Sequence, residues 1–177
     1  YERSARRTLC CSFWLPARKT VSSPQSIDGG CKRRWLPGLS KKKYYSFDYG
    51  NLHIISLDSY DENRDTGSPM LTWLENDLAA TAQEWIVVIF HHPPYSKGSH
   101  DSDTETRLIE MRENVIPICE DYGVDLVLSG HSHSYERSKL IHGHYGSSST
   151  YNAGTHDIDG GDGRLDGDGA YQQNGIE

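Results

Sequence analysis

Aromatic and polar residues alternate from Tyr44 to Tyr49, Gly50-Asn51 follows as a turn, and Leu52–Leu57 resumes with Ile54 and Ile55 at its centre. This spacing predicts two strands, because a period of two sends alternate side chains to one sheet face. Ser68-Pro69 reads as a helix start, with a hydroxyl able to cap and then a proline where a missing N–H costs nothing. Leu71, Leu74 and Leu78 then fall at i, i+3 and i+7 on one helix face. Trp85–Phe90 is continuously apolar, the pattern of a strand covered on both faces. A second helix is predicted from about Asp103 to Tyr122, where Leu108, Met111, Val115, Ile118 and Tyr122 recur at steps of 3, 4, 3 and 4. Pro117 should kink that helix and Gly123 should end it. Val124–Leu128 follows as another buried strand. Alternating strands and helices with short connections imply an α/β fold, with a mixed or parallel sheet and flanking helices.

This pattern occupies residues 44–145 and is lost on either side. Residues 1–43 hold eleven Lys/Arg and two Asp/Glu, a balance of +9, whereas residues 44–177 carry −16. The basic segment has no amphipathic period and is broken by Pro16, Pro24 and Pro37. It reads as an irregular arm outside the packed domain, either disordered or not natively translated in this frame. Arg3, Arg6 and Arg7 ahead of Leu9–Leu15 resemble a signal peptide, but Ser12 interrupts the apolar stretch and no small-x-small cleavage site follows. Lys32–Arg34 and Lys41–Lys43 could serve a nucleic-acid arm, against which stands the commoner use of basic clusters as solvated tails. At the other end, Ser147–Thr150 and the Asp/Gly-rich run Asp157–Gly169 make residues 146–177 a loop-like tail or the end of the same domain. The tail does not meet the spacing of a calcium-binding EF-hand loop, since Gly161 stands at position 5 and Asp168 at position 12 counted from Asp157.

The composition narrows the classes further. The chain has 177 residues, 35% of them hydrophobic, and a net charge of −7. Its mean hydropathy is −0.70, and no run approaches the roughly 18 apolar residues that span a bilayer. The charge disfavours general binding to nucleic acid through phosphate neutralisation. Four cysteines without a Cys-x-x-Cys pair support neither a disulfide scaffold nor a zinc ribbon, and Cys119 reads as a buried small hydrophobe on the second helix.

The chemistry lies in the histidines. His91-His92 directly follows the strand ending at Phe90, and Gly130-His131-Ser132-His133 follows the strand ending at Leu128. In open α/β sheets ligands bind beyond the carboxyl ends of strands, so two clusters distant in sequence should converge on one edge. Imidazole suits zinc, iron and other first-row ions, and the His-x-His spacing can serve one metal or two adjacent ones. Pro93-Pro94 stiffens the first loop, which lowers the ordering cost of binding.

These segments resemble a known family. His91-His92-Pro93-Pro94-Tyr95 and Gly130-His131-Ser132-His133-Ser134-Tyr135-Glu136-Arg137 are similar to the calcineurin-like metallophosphoesterases, above all their purple acid phosphatase branch. The resemblance covers about residues 44–171 and implies part of an α/β/β/α sandwich with two metal ions at the sheet edge, iron paired with zinc, manganese or a second iron. By the same resemblance His91 and His131 would be ligands of the divalent site, His133 a ligand of the neighbouring site, and His100 the group that protonates the leaving alkoxide; His92 would stand behind the ligands. The implied reaction is hydrolysis of a small phosphate monoester, and by analogy with that branch the compartment would be secreted or periplasmic, which the residues themselves leave open; charge and hydropathy give no nucleic-acid or membrane partner.

The sequence also departs from that pattern. The Gly-Asp-x-x-Tyr and Gly-Asn-His-Glu/Asp segments that supply the other ligands are absent from residues 1–43, and Gly50-Asn51-Leu52-His53 is only a near match. Gly167-Asp168-Gly169-Ala170-Tyr171 fits the first pattern but lies after the His-x-His and has no apolar strand leading into it. The expectation is therefore the middle-to-late portion of a longer phosphatase, weak in metal binding and without catalysis by itself. A non-catalytic paralogue and a phosphodiesterase or nucleotidase of the same superfamily are the rival readings. Oligomeric state is not legible from the sequence.

Overall fold

The computed structural model describes residues 43–162, 164 and 166–169, together with the backbone of 9–12 and 33–34. Strands β1 (Leu9–Ser12), β2 (Arg33–Arg34), β3 (Tyr45–Tyr49), β4 (Leu52–Ser56), β5 (Trp85–Ile89), β6 (Leu126–Ser129) and β7 (Glu136–Arg137) form one mixed sheet in the order β2-β3-β4-β5-β6-β1-β7. β3 and β4 are antiparallel around the Gly50-Asn51 turn, while β4, β5 and β6 are parallel. The alternating pattern of elements thus yields the α/β arrangement that the sequence predicts.

The basic segment, read from composition as lying outside the packed domain, contributes two short strands. β1 pairs with β6 and β7, and β2 pairs with β3. Backbone groups on an open sheet edge accept a strand whatever its side-chain period. The signal-peptide and nucleic-acid readings of this segment fall largely outside the described residues.

Helix α1 (Pro69–Ala80) begins as its sequence dictates. Ser68 Oγ accepts the Leu71 N–H and Pro69 opens the first turn. Leu71, Leu74 and Leu78 are buried and join Ile55, Ile86, Val88 and Val127 in the core. The predicted second helix exists in three parts: α2 (Thr106–Glu110), a π turn (Met111–Val115) and α3 (Ile116–Asp121). Pro117 explains the interruption, because it has no N–H to donate and its ring crowds the preceding turn. The wider turn, closed by the Ile116 N–H on Met111 O, carries the helix past it. At the far end Gly123 has φ 68°, Val124 N–H donates to Cys119 O at 2.8 Å and Gly123 N–H to Glu120 O at 3.2 Å. That is a Schellman cap, for which the left-handed glycine is the usual residue.

The core takes its strand residues from one face of the sheet only. On the other face Tyr49, Leu52 and Trp85 form one cross-strand row, Phe47, Ile54, Val87 and Leu126 a second, and Tyr45, Ser56, Ile89 and Leu128 a third. None of them is buried, and Trp85 and Ile89 are 46% and 38% exposed. The apolar run Trp85–Phe90 predicts cover on both faces. Among the described residues it has full cover on one.

The tail holds more regular structure than its composition suggests. A 3₁₀ turn (Ser148–Thr150) and a helical turn α4 (Ala153–His156) lead into β9 (Asp157–Asp159), which pairs with β8 (Leu140–Ile141).

Candidate metal centre

Parallel strands β4, β5 and β6 end at one edge, and each runs into a polar loop: Asp58–Asp61, His91-His92 and Gly130–Ser134. Backbone bonds tie the last two together. Phe90 N–H donates to Leu128 O at 3.1 Å and Gly130 N–H to His91 O at 3.0 Å. The imidazoles consequently meet, with His91 Nε2 3.0 Å from His131 Nδ1.

The His-x-His loop is held in an unusual backbone. His131 and His133 have φ of 69° and 54°, the left-handed region that non-glycine residues avoid at a cost of about 1–2 kcal/mol. Between them Ser132 is buried; its N–H donates to Gly130 O at 2.8 Å, and its carbonyl accepts the Ser99 N–H and hydroxyl at 3.2 and 2.5 Å. These bonds offset the strain and set the two rings.

His100 approaches from the loop between β5 and α2. Glu136 braces that loop by accepting Ser96 Oγ–H and Lys97 N–H, both at 2.8 Å. The His100 ring lies 3.7 Å from that of His131, centroid to centroid. His100 Nδ1 is 2.8 Å from Glu105 Oε1, and His131 Nε2 is 3.3 Å from Glu105 Oε2. Glu105 occupies the N-cap position of α2 without capping it, since its carboxylate is committed to the two imidazoles. Burial alone would raise that carboxyl, but His100, the Asp101 N–H and His131 hold it below the usual carboxylate range.

The electrostatics favour neutral rings. Burial, then the neighbouring His131, His133 and His100, lower the pKa of His91. Burial, then His131 and His91, push His92 down to about 4. Neutral imidazole is the form that offers a lone pair to a metal.

Among the described residues two groups could hold an ion: His91, His92 and His131, and His100, Glu105 and His131, with their ligand atoms within 4.8 Å of one another. Imidazole nitrogens with a carboxylate oxygen form a donor set that fits zinc or iron. The structure thus brings together His91, His131 and His100 of the four residues named from sequence. His133 is exposed, with its ring 6.1 Å from that of His100, and belongs to neither group. His53 lies elsewhere, buried between Asp48 at 2.6 Å and Asp77 at 3.0 Å, which makes it structural.

Sequence reasoning missed Glu105 and also Ser59, whose Oγ lies 2.9 Å from His92 Nδ1. An acidic residue at a predicted helix start points to Glu105. The strand-end rule that finds His91 and His131 also reaches Ser59, three residues beyond β4.

Residues 14–135 match the calcineurin-like phosphoesterases. Purple acid phosphatase 18 of Arabidopsis thaliana is 36% identical over 108 residues, which cover 59% of this chain and 24% of that protein. Probable purple acid phosphatase 20 of the same plant is 37% identical over 119 residues, 62% of this chain and 27% of the relative. An uncharacterized protein of Mycobacterium tuberculosis is 29% identical over 117 residues, 58% of this chain and 22% of its own length. The chain spans about a quarter of the length of these relatives. With a match over more than half its residues and two strand-end histidine loops meeting at one edge, the chain belongs to the calcineurin-like phosphoesterase family.

Proposed function

We propose that this chain contributes the histidine-bearing side of a metal-dependent phosphoric ester hydrolase that acts on phosphate monoesters. The observation that carries the reading is the convergence of His91 and His131, forty residues apart, on one sheet edge. His91 and His131 would hold one ion and His133, on the outer side of the loop, a second. Bound metal in such a centre supplies a hydroxide at neutral pH and neutralises the phosphoryl charge. That fits a domain with few cations, where residues 44–177 carry −16.

His100 is the group that would protonate the departing alkoxide. Its Nδ1 is engaged by Glu105 at 2.8 Å, which orients the ring and leaves Nε2 as the nitrogen for the proton transfer. The left-handed turn at His131–His133 fixes the ligands before binding, so that little ordering remains to oppose it.

The ligand-bearing Gly-Asp-x-x-Tyr and Gly-Asn-His-Glu/Asp segments of this family do not occur in residues 1–43, and these 177 residues taken alone are proposed to bind metal weakly and without turnover. Calorimetric titration with zinc tests the centre. His131→Ala combined with His133→Ala is expected to weaken binding by more than the roughly 10–100-fold that loss of an outer hydrogen-bond partner costs. Unchanged zinc affinity in that variant would remove the basis for the hydrolase reading. In a protein that also carries the upstream segments, a monoester such as p-nitrophenyl phosphate should be hydrolysed in preference to its bis-ester; the reverse order would favour a diesterase.

A further inference from the structure

Ser59 lies in the loop that follows β4 and is 1% exposed. Its Oγ accepts the backbone N–H of His91 and that of His92, each at 3.1 Å, and lies 2.9 Å from His92 Nδ1. A serine hydroxyl has two lone pairs and one proton. Both lone pairs face N–H donors, so the third contact must use the proton, and His92 Nδ1 must accept it. The ring then carries its own hydrogen on Nε2.

We propose that Ser59 is a positioning residue which fixes the loop bearing His91 and holds His92 as an Nε2–H donor rather than a metal ligand. The assignment trims the first group of possible ligands. In His92 the Nδ1 lone pair is spent on Ser59 and Nε2 has none to give, so His92 leaves the first group and His91 and His131 remain. The ring sits 4.7 Å from that of His131 and 4.9 Å from that of His91, centroid to centroid, and Tyr60 stacks on it at 5.9 Å. The ring is thus a buried, fixed neighbour of His91 and His131.

Ser59 is itself anchored. Its carbonyl accepts Arg64 Nη1–H at 3.2 Å, and Asp58 Oδ1 accepts the N–H groups of Tyr60 and Asp61 at 3.0 Å, which shapes the turn. The position reaches the centre from a third strand end, thirty-three residues away in sequence from His92.

Long-range proton–nitrogen NMR of the 177-residue chain, free of metal, tests this directly, with the His92 signals assigned by their loss in His92→Gln. The expected pattern is an unprotonated Nδ1 and a protonated Nε2 in His92. Ser59→Ala should abolish that pattern and speed amide exchange at His91 and His92 by about tenfold or more, while Ser59→Thr, which keeps the hydroxyl, should restore both. A protonated Nδ1 in the wild-type chain, or a His92 pattern unchanged by Ser59→Ala, would overturn the proposal. Neither result depends on metal binding or on turnover, so the phosphatase reading stands or falls separately.

Discussion

His53 shows how much a single residue can do away from the chemistry. Burial would lower its pKa, but the carboxylates of Asp77 and Asp48 outweigh that and raise it above the ordinary value of 6.5. A group whose folded pKa is raised contributes stability that is complete below its unfolded value and is lost as pH rises through the folded one. Wild-type thermal stability should therefore carry a component that declines from about pH 6.5 upward, and His53→Gln should remove it. Melting curves of both proteins across that window check this, and parallel profiles would contradict it. At this scale the sequence is legible where a residue's position in an element decides its role. His91 and His131 follow strands, and topology alone brings them together. For Glu105 and Ser59 the sequence offers a place, a helix start and a strand end, but not the pairing: His131 lies twenty-six residues from Glu105 and His92 thirty-three from Ser59, and the fold brings each pair together.

Among elements, the helical stretch from Thr106 to Asp121 was partly legible. The stripe from Leu108 to Tyr122 marks its length, and Gly123 marks its end. The π turn could not be placed from periodicity, because one widened turn barely disturbs the spacing of apolar residues, although Pro117 announces a disturbance. The start fell three residues later than about Asp103, because Glu105 takes the N-cap position while its side chain serves the histidines. Replacing Gly123 by alanine forces a Cβ into φ 68° and should cost about 1–2 kcal/mol in chemical denaturation. Leu74→Ala, at a fully buried position of α1, should cost roughly 2–5 kcal/mol in the same measurement. A Leu74 variant as stable as wild type would show that α1 is not docked on the sheet.

For the molecule as a whole, the order of elements was readable and the extent of the sheet was not. The alternation of strand and helix gives the parallel centre and, through it, the edge where the loops meet. Composition, however, does not reveal that part of a basic segment pairs with that sheet, because edge pairing is a property of the backbone. No helix among the described residues is long and apolar enough to cross a membrane. The half-covered face, with Tyr49 and Trp85 in one row and Ile89 at its other end, has a practical consequence. Such a greasy wall should light up environment-sensitive dyes and cause turbidity on concentration that added salt worsens, since water, not charge, drives it. Ile89→Lys should quench the dye signal while leaving circular dichroism intact. If fluorescence stays high in that variant, the sticky surface lies elsewhere.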